Sequence, residues 1–171
     1  MHVVIMVFES NSHSKSDYKY ARSLMQKYFR IERFKFEKIY AGSKSELYSA
    51  GTERKIKSIF KKHQLRNTTY TILFFADVDT NNIEDALLNE RLIAFANKYK
   101  KMSQIVWCNY DIEYVFLGYR VDKNKPKEAE NFLKNQNIQK VNVDILKESN
   151  PFLKKPSSNM YLVFSSVFPK K

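Results

Sequence analysis

Two short apolar runs, each closing on a carboxylate, constrain this chain more than anything else in it. The first is His2 to Phe8, HVVIMVF, followed at once by Glu9; the second is Tyr70 to Ala76, YTILFFA, followed by Asp77, Val78 and Asp79. Near-continuous apolar runs of this length bury both faces when extended, the habit of inner strands in a parallel sheet. Parallel strands need crossover connections, and helical patterns lie where those are required. Ser16 to Phe29 sets Tyr18, Ala21, Leu24, Met25 and Tyr28 at helical spacing, with Ser14 or Ser16 as N-cap. The alternation from Ile31 to Tyr40, stopping at Ala41-Gly42, predicts a second strand. Lys44 to Gly51 reads as loop or short helix, and Thr52 to Gln64 as a basic amphipathic helix with Ile56, Ile59 and Phe60 inward. Ile83 to Tyr99 predicts a long helix packing Ala86, Leu87, Ile93, Ala94, Phe95 and Ala96. Gln104 to Cys108 is a further strand, Ile112 to Tyr119 a helix, and Lys123 to Gln136 a helix with Pro126 at its start. Tyr161 to Phe168 reads equally as helix or strand. Strands alternating with helices predict an α/β fold, a mostly parallel sheet with helices on both faces, in one domain spanning 1–171.

In such sheets ligands sit beyond the carboxyl ends of the strands, where the acids fall. Asp77 and Asp79, two apart on extended chain, point to one side. If the two runs are neighbouring strands, their separation of roughly 5 Å brings Glu9 within reach. Three carboxylates at one spot repel one another, and a divalent cation, Mg²⁺ or Mn²⁺, removes that cost while leaving room for water and phosphate. Such a metal offsets phosphate charge and activates or orients an attacking oxygen, with Glu9 either a ligand or a proton shuttle. The plainer alternative is that Asp79 or Thr80 caps the helix that follows.

The order strand-Glu, then strand-Asp-x-Asp, resembles the Toprim domain of topoisomerases, primases, small ribonucleases and the OLD nucleases. A closer resemblance is to the RloB-like (AbiLii-like) proteins of bacterial restriction and abortive-infection loci. In those, a strand and its Glu lead through a polar stretch to Thr-Glu and a Tyr that open a helix, matched here by Glu9, Ser16, Asp17 and Tyr18. Their middle strand ends in Asp-x-Asp, matched by Asp77-Val78-Asp79. A third landmark, a strand running into Ser-Asn-Pro and then a Glu on an aromatic-rich helix, is matched by Cys108-Asn109 and by Glu113 to Tyr119. Ser10 stands where the Toprim Glu is usually followed by Gly, and Tyr110 where the Pro would be. The likeness spans about residues 3–120, leaving 121–171 as a C-terminal extension on the same domain. It implies a Toprim-like, Rossmann-like fold and Mg²⁺-dependent cleavage of nucleic-acid phosphodiesters in phage defence, with a partner protein from the same locus possible. Glu113 enters either as a fourth acid at the metal or as a first-turn Glu stabilised by the helix dipole; Asn109 is a supporting residue.

Charge bears on the partner. Lys plus Arg number 30 against 18 Asp plus Glu, a formal net charge of +12, and a field of that sign favours polyanions. Lys15 and Lys19, beside the Glu9 loop, and Arg54, Lys57 and Lys61 on the basic helix are candidate phosphate contacts; a solvated surface is the alternative for each. His2, His13 and His63 stand apart from one another, and Cys108 lies in an apolar strand with no histidine beside it. A single cysteine excludes an internal disulfide and fits the cytoplasm. With three glycines, no phosphate-cradling loop is present. The opening run has no basic leader and reads as a strand, and no stretch approaches the roughly 20 apolar residues of a membrane span. Two functional readings follow: a metal-dependent nuclease, or a non-catalytic module of the same fold that binds nucleic acid or a protein.

Overall fold

A computed structural model of the chain describes residues 1–12, 15–78, 83–150 and 155–171. The apolar runs become strands: β1 (His2–Phe8), β2 (Phe34–Tyr40), β3 (Thr69–Val78) and β4 (Ser103–Asn109). They form one sheet in the order β2-β1-β3-β4, every neighbouring pair parallel. β1 and β3 are the inner strands, and Val3 to Phe8 and Ile72 to Ala76 are buried on both faces. The chain is thus α/β with a parallel sheet between helical layers, as the alternation predicts.

Alternation along the strands assigns the two faces. Val4, Met6 and Phe8 of β1, with Leu73 and Phe75 of β3, face α1 (Ser16–Tyr28), α5 (Ile112–Leu117), α6 (Lys125–Lys134) and α7 (Met160–Val167). Val3, Ile5 and Val7, with Ile72, Phe74 and Ala76, face α2 (Lys44–Leu47), α3 (Ala50–Lys62) and α4 (Ile83–Asn97). The β1–β2 crossover therefore runs over one face and the β2–β3 crossover over the other. The strand order reverses between β1 and β3, which opens a crevice beyond their carboxyl ends.

Several boundaries differ from the sequence expectation. β2 begins only at Phe34, after a turn in which the Phe34 N–H donates to the Ile31 carbonyl at 3.1 Å. β3 continues through Asp77 and Val78, so Asp77 is a strand residue and not a loop residue. Ser16 is the first helical residue of α1 and not its cap, a position Lys15 takes at φ 48°; the other expected cap, Ser14, lies outside the described residues. α3 starts at Ala50 because Ser49 caps it, its hydroxyl accepting from the Thr52 N–H at 3.2 Å. The undecided C-terminal segment is helical: Met160, Val163 and Phe164 are buried at helical spacing.

α4 buries Phe95 and Ala96 as expected but otherwise turns a different side inward. Ala86, Leu87, Ile93 and Ala94 are exposed, while Asp85, Asn89, Leu92, Phe95 and Ala96 are buried. The inner face is partly polar because a buried ion pair joins Asp85 to Lys44 of α2, with the Asn89 amide on the other Asp85 oxygen at 3.3 Å. Apolar residues run all round α4, so their spacing alone does not select a face.

The last described segment closes the outer edge of β4. Asn159 accepts from the Trp107 N–H at 2.8 Å and donates to the Ile105 carbonyl at 3.0 Å, and Ser158 donates to the Trp107 carbonyl at 2.6 Å. β2, the other edge strand, carries Lys35 and Lys38 exposed, charges that discourage edge-to-edge pairing. Among the described residues no helix is long and apolar enough to cross a membrane.

Candidate active site

The crevice between the ends of β1 and β3 is a cavity of about 410 Å³ whose walls include Glu9, Asp17, Asp77, Glu113 and Lys125. Glu9 directly follows β1. Because Phe8 pairs with Phe75, Glu9 comes alongside the end of β3, where its Oε2 accepts from the Asp77 N–H at 3.2 Å. The Glu9 carbonyl accepts from the Gly42 N–H at 3.1 Å, tying the loop after β1 to the loop after β2. Gly42 sits at φ 102°, a conformation that side chains disfavour.

Asp17 enters from the first turn of α1, where the Ser16 hydroxyl donates to its Oδ1 at 3.1 Å. Glu113, in the first turn of α5, is only 1% exposed. Its Oε2 accepts from Lys125 Nζ at 3.0 Å, while Oε1 has no hydrogen-bond partner. Lys125 opens α6 and lies 3.8 Å from Asp111 Oδ2 as well. Asp111 is mainly a cap, accepting from the Tyr114 N–H at 2.7 Å.

Crowding of like charge shows in the proton affinities. Burial pushes the Asp77 carboxyl well above the ordinary range, and Glu9, Asp17, Glu113 and Asp111 push it further. Burial raises Asp17 against the hydrogen bonds of Ser10 and Ser16 and the Lys125 charge. Burial raises Glu113 too, against the pull of Lys125. Lys125 loses some proton affinity to burial but gains more from Glu113, Asp111 and Asp77, for a net rise. Among the described residues, four carboxyl groups and the Lys125 ammonium thus line the cavity.

The residues expected at the site divide clearly. Glu9, Asp77 and Glu113 come together in this cavity, whereas Asp79 lies outside the described residues, as do Thr80 and His13. Asn109 is buried and does not line the cavity; it anchors the C-terminal segment, its Nδ2 donating to Ser157 Oγ at 2.6 Å and its N–H to the Ser157 carbonyl at 2.8 Å. Lys15 and Lys19 border a separate groove along α1. Arg54, Lys57 and Lys61 lie exposed on α3, across the sheet from α1, with Lys57 paired to Glu53 at 2.8 Å and Lys61 beside Tyr70 at the entry to β3. Tyr110 donates its N–H to the Val78 carbonyl at 3.0 Å from a φ of 70°, a bond and a conformation that proline could not supply. Cys108 is buried, and burial raises its thiol far above the reactive range.

Two members of the site were not expected there from sequence, although Asp17 was named as a landmark match. Asp17 had a signal, being an acid in the first turn of the helix that follows a buried strand. Lys125 had none, as one of 30 basic residues.

The donor set suits a hard cation: carboxylates on converging strand ends, and a buried Glu113 oxygen left without a donor. Among the described residues no three acidic, histidine or cysteine side chains stand close enough to form a ready-made metal cage. Mg²⁺ commonly takes one or two carboxylates and fills the remainder with water and phosphate, which Glu9 and Asp77 satisfy in number. No protein-family model, no curated protein and no solved structure matches the chain.

Proposed function

We propose that this chain is a divalent-metal-dependent enzyme of Toprim type that cleaves nucleic-acid phosphodiesters, with a role in defence against foreign nucleic acid. The observation that carries it is the convergence of Glu9, Asp77, Asp17 and Glu113, from four separate elements, on the crevice where the strand order reverses. Among the described residues of its wall, burial and like charge hold the Asp77 proton tightly, a cost that a bound cation would relieve. The strand-Glu, strand-Asp-x-Asp order and the surrounding landmarks give the Toprim and RloB-like parts of the reading their support.

When bound, the metal supplies charge neutralisation at the phosphate and a water of lowered pKa. Glu9 and Asp77 would hold it. Where it is not a ligand, Glu9, which accepts from the Asp77 N–H, would instead take the proton of the attacking oxygen. Lys125 keeps Glu113 oriented and offers an ammonium to a phosphate oxygen or a departing group. A cation competes with the proton that burial and the neighbouring acids hold on Asp77, so metal affinity should rise with pH through its raised pKa.

Calorimetric titration with Mg²⁺ and Mn²⁺, run beside cleavage of labelled DNA and RNA, tests this. Wild type should bind near the millimolar range or tighter and cleave. Asp77→Asn should lose both while its circular dichroism is unchanged. Metal-dependent cleavage that persists in Asp77→Asn rejects the proposal.

One observation favours the second reading, a binding module without chemistry. Lys125 already supplies the cavity with an internal cation. On that reading metal binding is absent and the acids serve only to seat Lys125.

A further inference from the structure

We infer that the groove along α1 seats a single strand of nucleic acid, with phosphates on Lys15, Arg22 and Lys38 and a base against Tyr18 and Tyr40, delivering the strand to the acidic cavity. This names the substrate class of the proposed enzyme. Its direction rests on that reading; the binding itself does not.

The groove is a cavity of about 540 Å³, within the range that seats a small organic ligand. Tyr18 and Arg22 lie at i and i+4 on α1 with Lys19 beside them, Lys15 lines the groove from the cap position before the helix, and Lys38 and Tyr40 line it from the edge strand β2. Lys38 Nζ stands 4.4 Å over the Tyr18 ring and the Arg22 guanidinium 5.9 Å over it. The cations are therefore gathered on an aromatic wall instead of being spread through solvent. Lys19 is held by Glu130 of α6 at 3.0 Å, so the phosphate contacts fall to the other three cations.

Aromatic faces decide between single strand and duplex. Phosphate contacts alone would serve either form, but only an unstacked base can lie on a tyrosine or a guanidinium plane. Tyr40 is braced from behind by Phe8, stacked at 5.6 Å, and Tyr18 by Phe8 edge-on at 6.0 Å, so both rings are fixed platforms.

Adjacency ties the groove to the acids. Ser16 and Asp17 line the acidic cavity while their neighbours Lys15 and Tyr18 line the groove; likewise Gly42 and Ser43 line the cavity while Tyr40 lines the groove. A basic aromatic track thus opens directly beside a carboxylate cluster.

Fluorescence anisotropy on the full chain in EDTA, with one labelled mixed-sequence oligonucleotide either single-stranded or annealed, tests the groove without metal or cleavage. Single strand should bind more tightly than duplex. Arg22→Gln with Lys38→Gln should weaken it at least tenfold and reduce the log–log salt slope by about 1.4, two contacts at roughly 0.7 each. Tyr18→Leu should weaken it at least about fivefold, the lower end for a stacked base, with the slope kept; Tyr18→Phe should bind like wild type, which separates a lost ring from a damaged fold. Tighter duplex binding, or a loss from Lys57→Glu with Lys61→Glu on α3 as large as that from the groove pair, overturns the inference. Strand binding by the groove in a wild type that never cleaves would sink the enzyme reading alone. Cleavage by a groove variant that binds normally would sink the groove alone.

Discussion

The buried Asp77 carboxyl holds its proton well above the ordinary aspartate range, and that proton has a consequence for stability. Its pKa is raised on folding, so between the ordinary aspartate value and the raised one the folded state holds more protons than the unfolded state. Stability without metal must then fall as pH rises through that window. Asp77→Asn removes the penalty, so its melting temperature without metal should exceed wild type's at pH 8 by more than at pH 5. Thermal melts in EDTA at the two values measure this, and equal differences would contradict the electrostatic account. Lys125 works in the opposite sense. Lys125→Met leaves the buried Glu113 without its counter-ion, but Lys125 is 39% exposed and water screens part of the pair. A loss of about 1–2 kcal/mol is expected in urea titration, largely recovered by adding Glu113→Gln. At this scale Glu9 and Asp77 were legible because each ends a buried run. Lys125 was invisible because its meaning comes from whichever acid the fold sets beside it.

Elements owe their stability to partners distant in sequence. The edge of β4 is closed by Asn159, whose side chain pairs both the Trp107 N–H and the Ile105 carbonyl. Asn159→Ala leaves two main-chain groups without those partners, and a cost of roughly 2 kcal/mol or more follows; a denaturation midpoint close to wild type would mean that water replaces them freely. The strands were readable from their apolar runs, since burial on both faces leaves few alternatives. The facing of α4 was not, because the ion pair between Lys44 and Asp85 draws a polar side inward. Its two members lie 41 positions apart, and no local period encodes such a pairing. The helix at Met160–Val167 was undecidable for a related reason: eight residues, mostly apolar, suit a helix or a strand until one face has a core to meet.

At the scale of the whole molecule, the C-terminal helix shares one core with the sheet. Phe164 is fully buried and meets Phe29, Phe75 and Phe168. Phe164→Ala should lower the midpoint of a single unfolding transition by the equivalent of about 3–5 kcal/mol. A first, separate transition that leaves the main one unmoved would show that the C-terminal segment unfolds independently. The sequence by itself determined that there would be inner parallel strands, helices between them, and acids at the strand ends. Burial and periodicity are local properties, written into consecutive residues. Only the tertiary structure decided that β1 and β3 are neighbours, that Asp17 and Glu113 turn into the same crevice, and that Lys125 meets them there. Those facts depend on strand order and on which face each crossover takes, and both are settled by packing among residues remote in the chain.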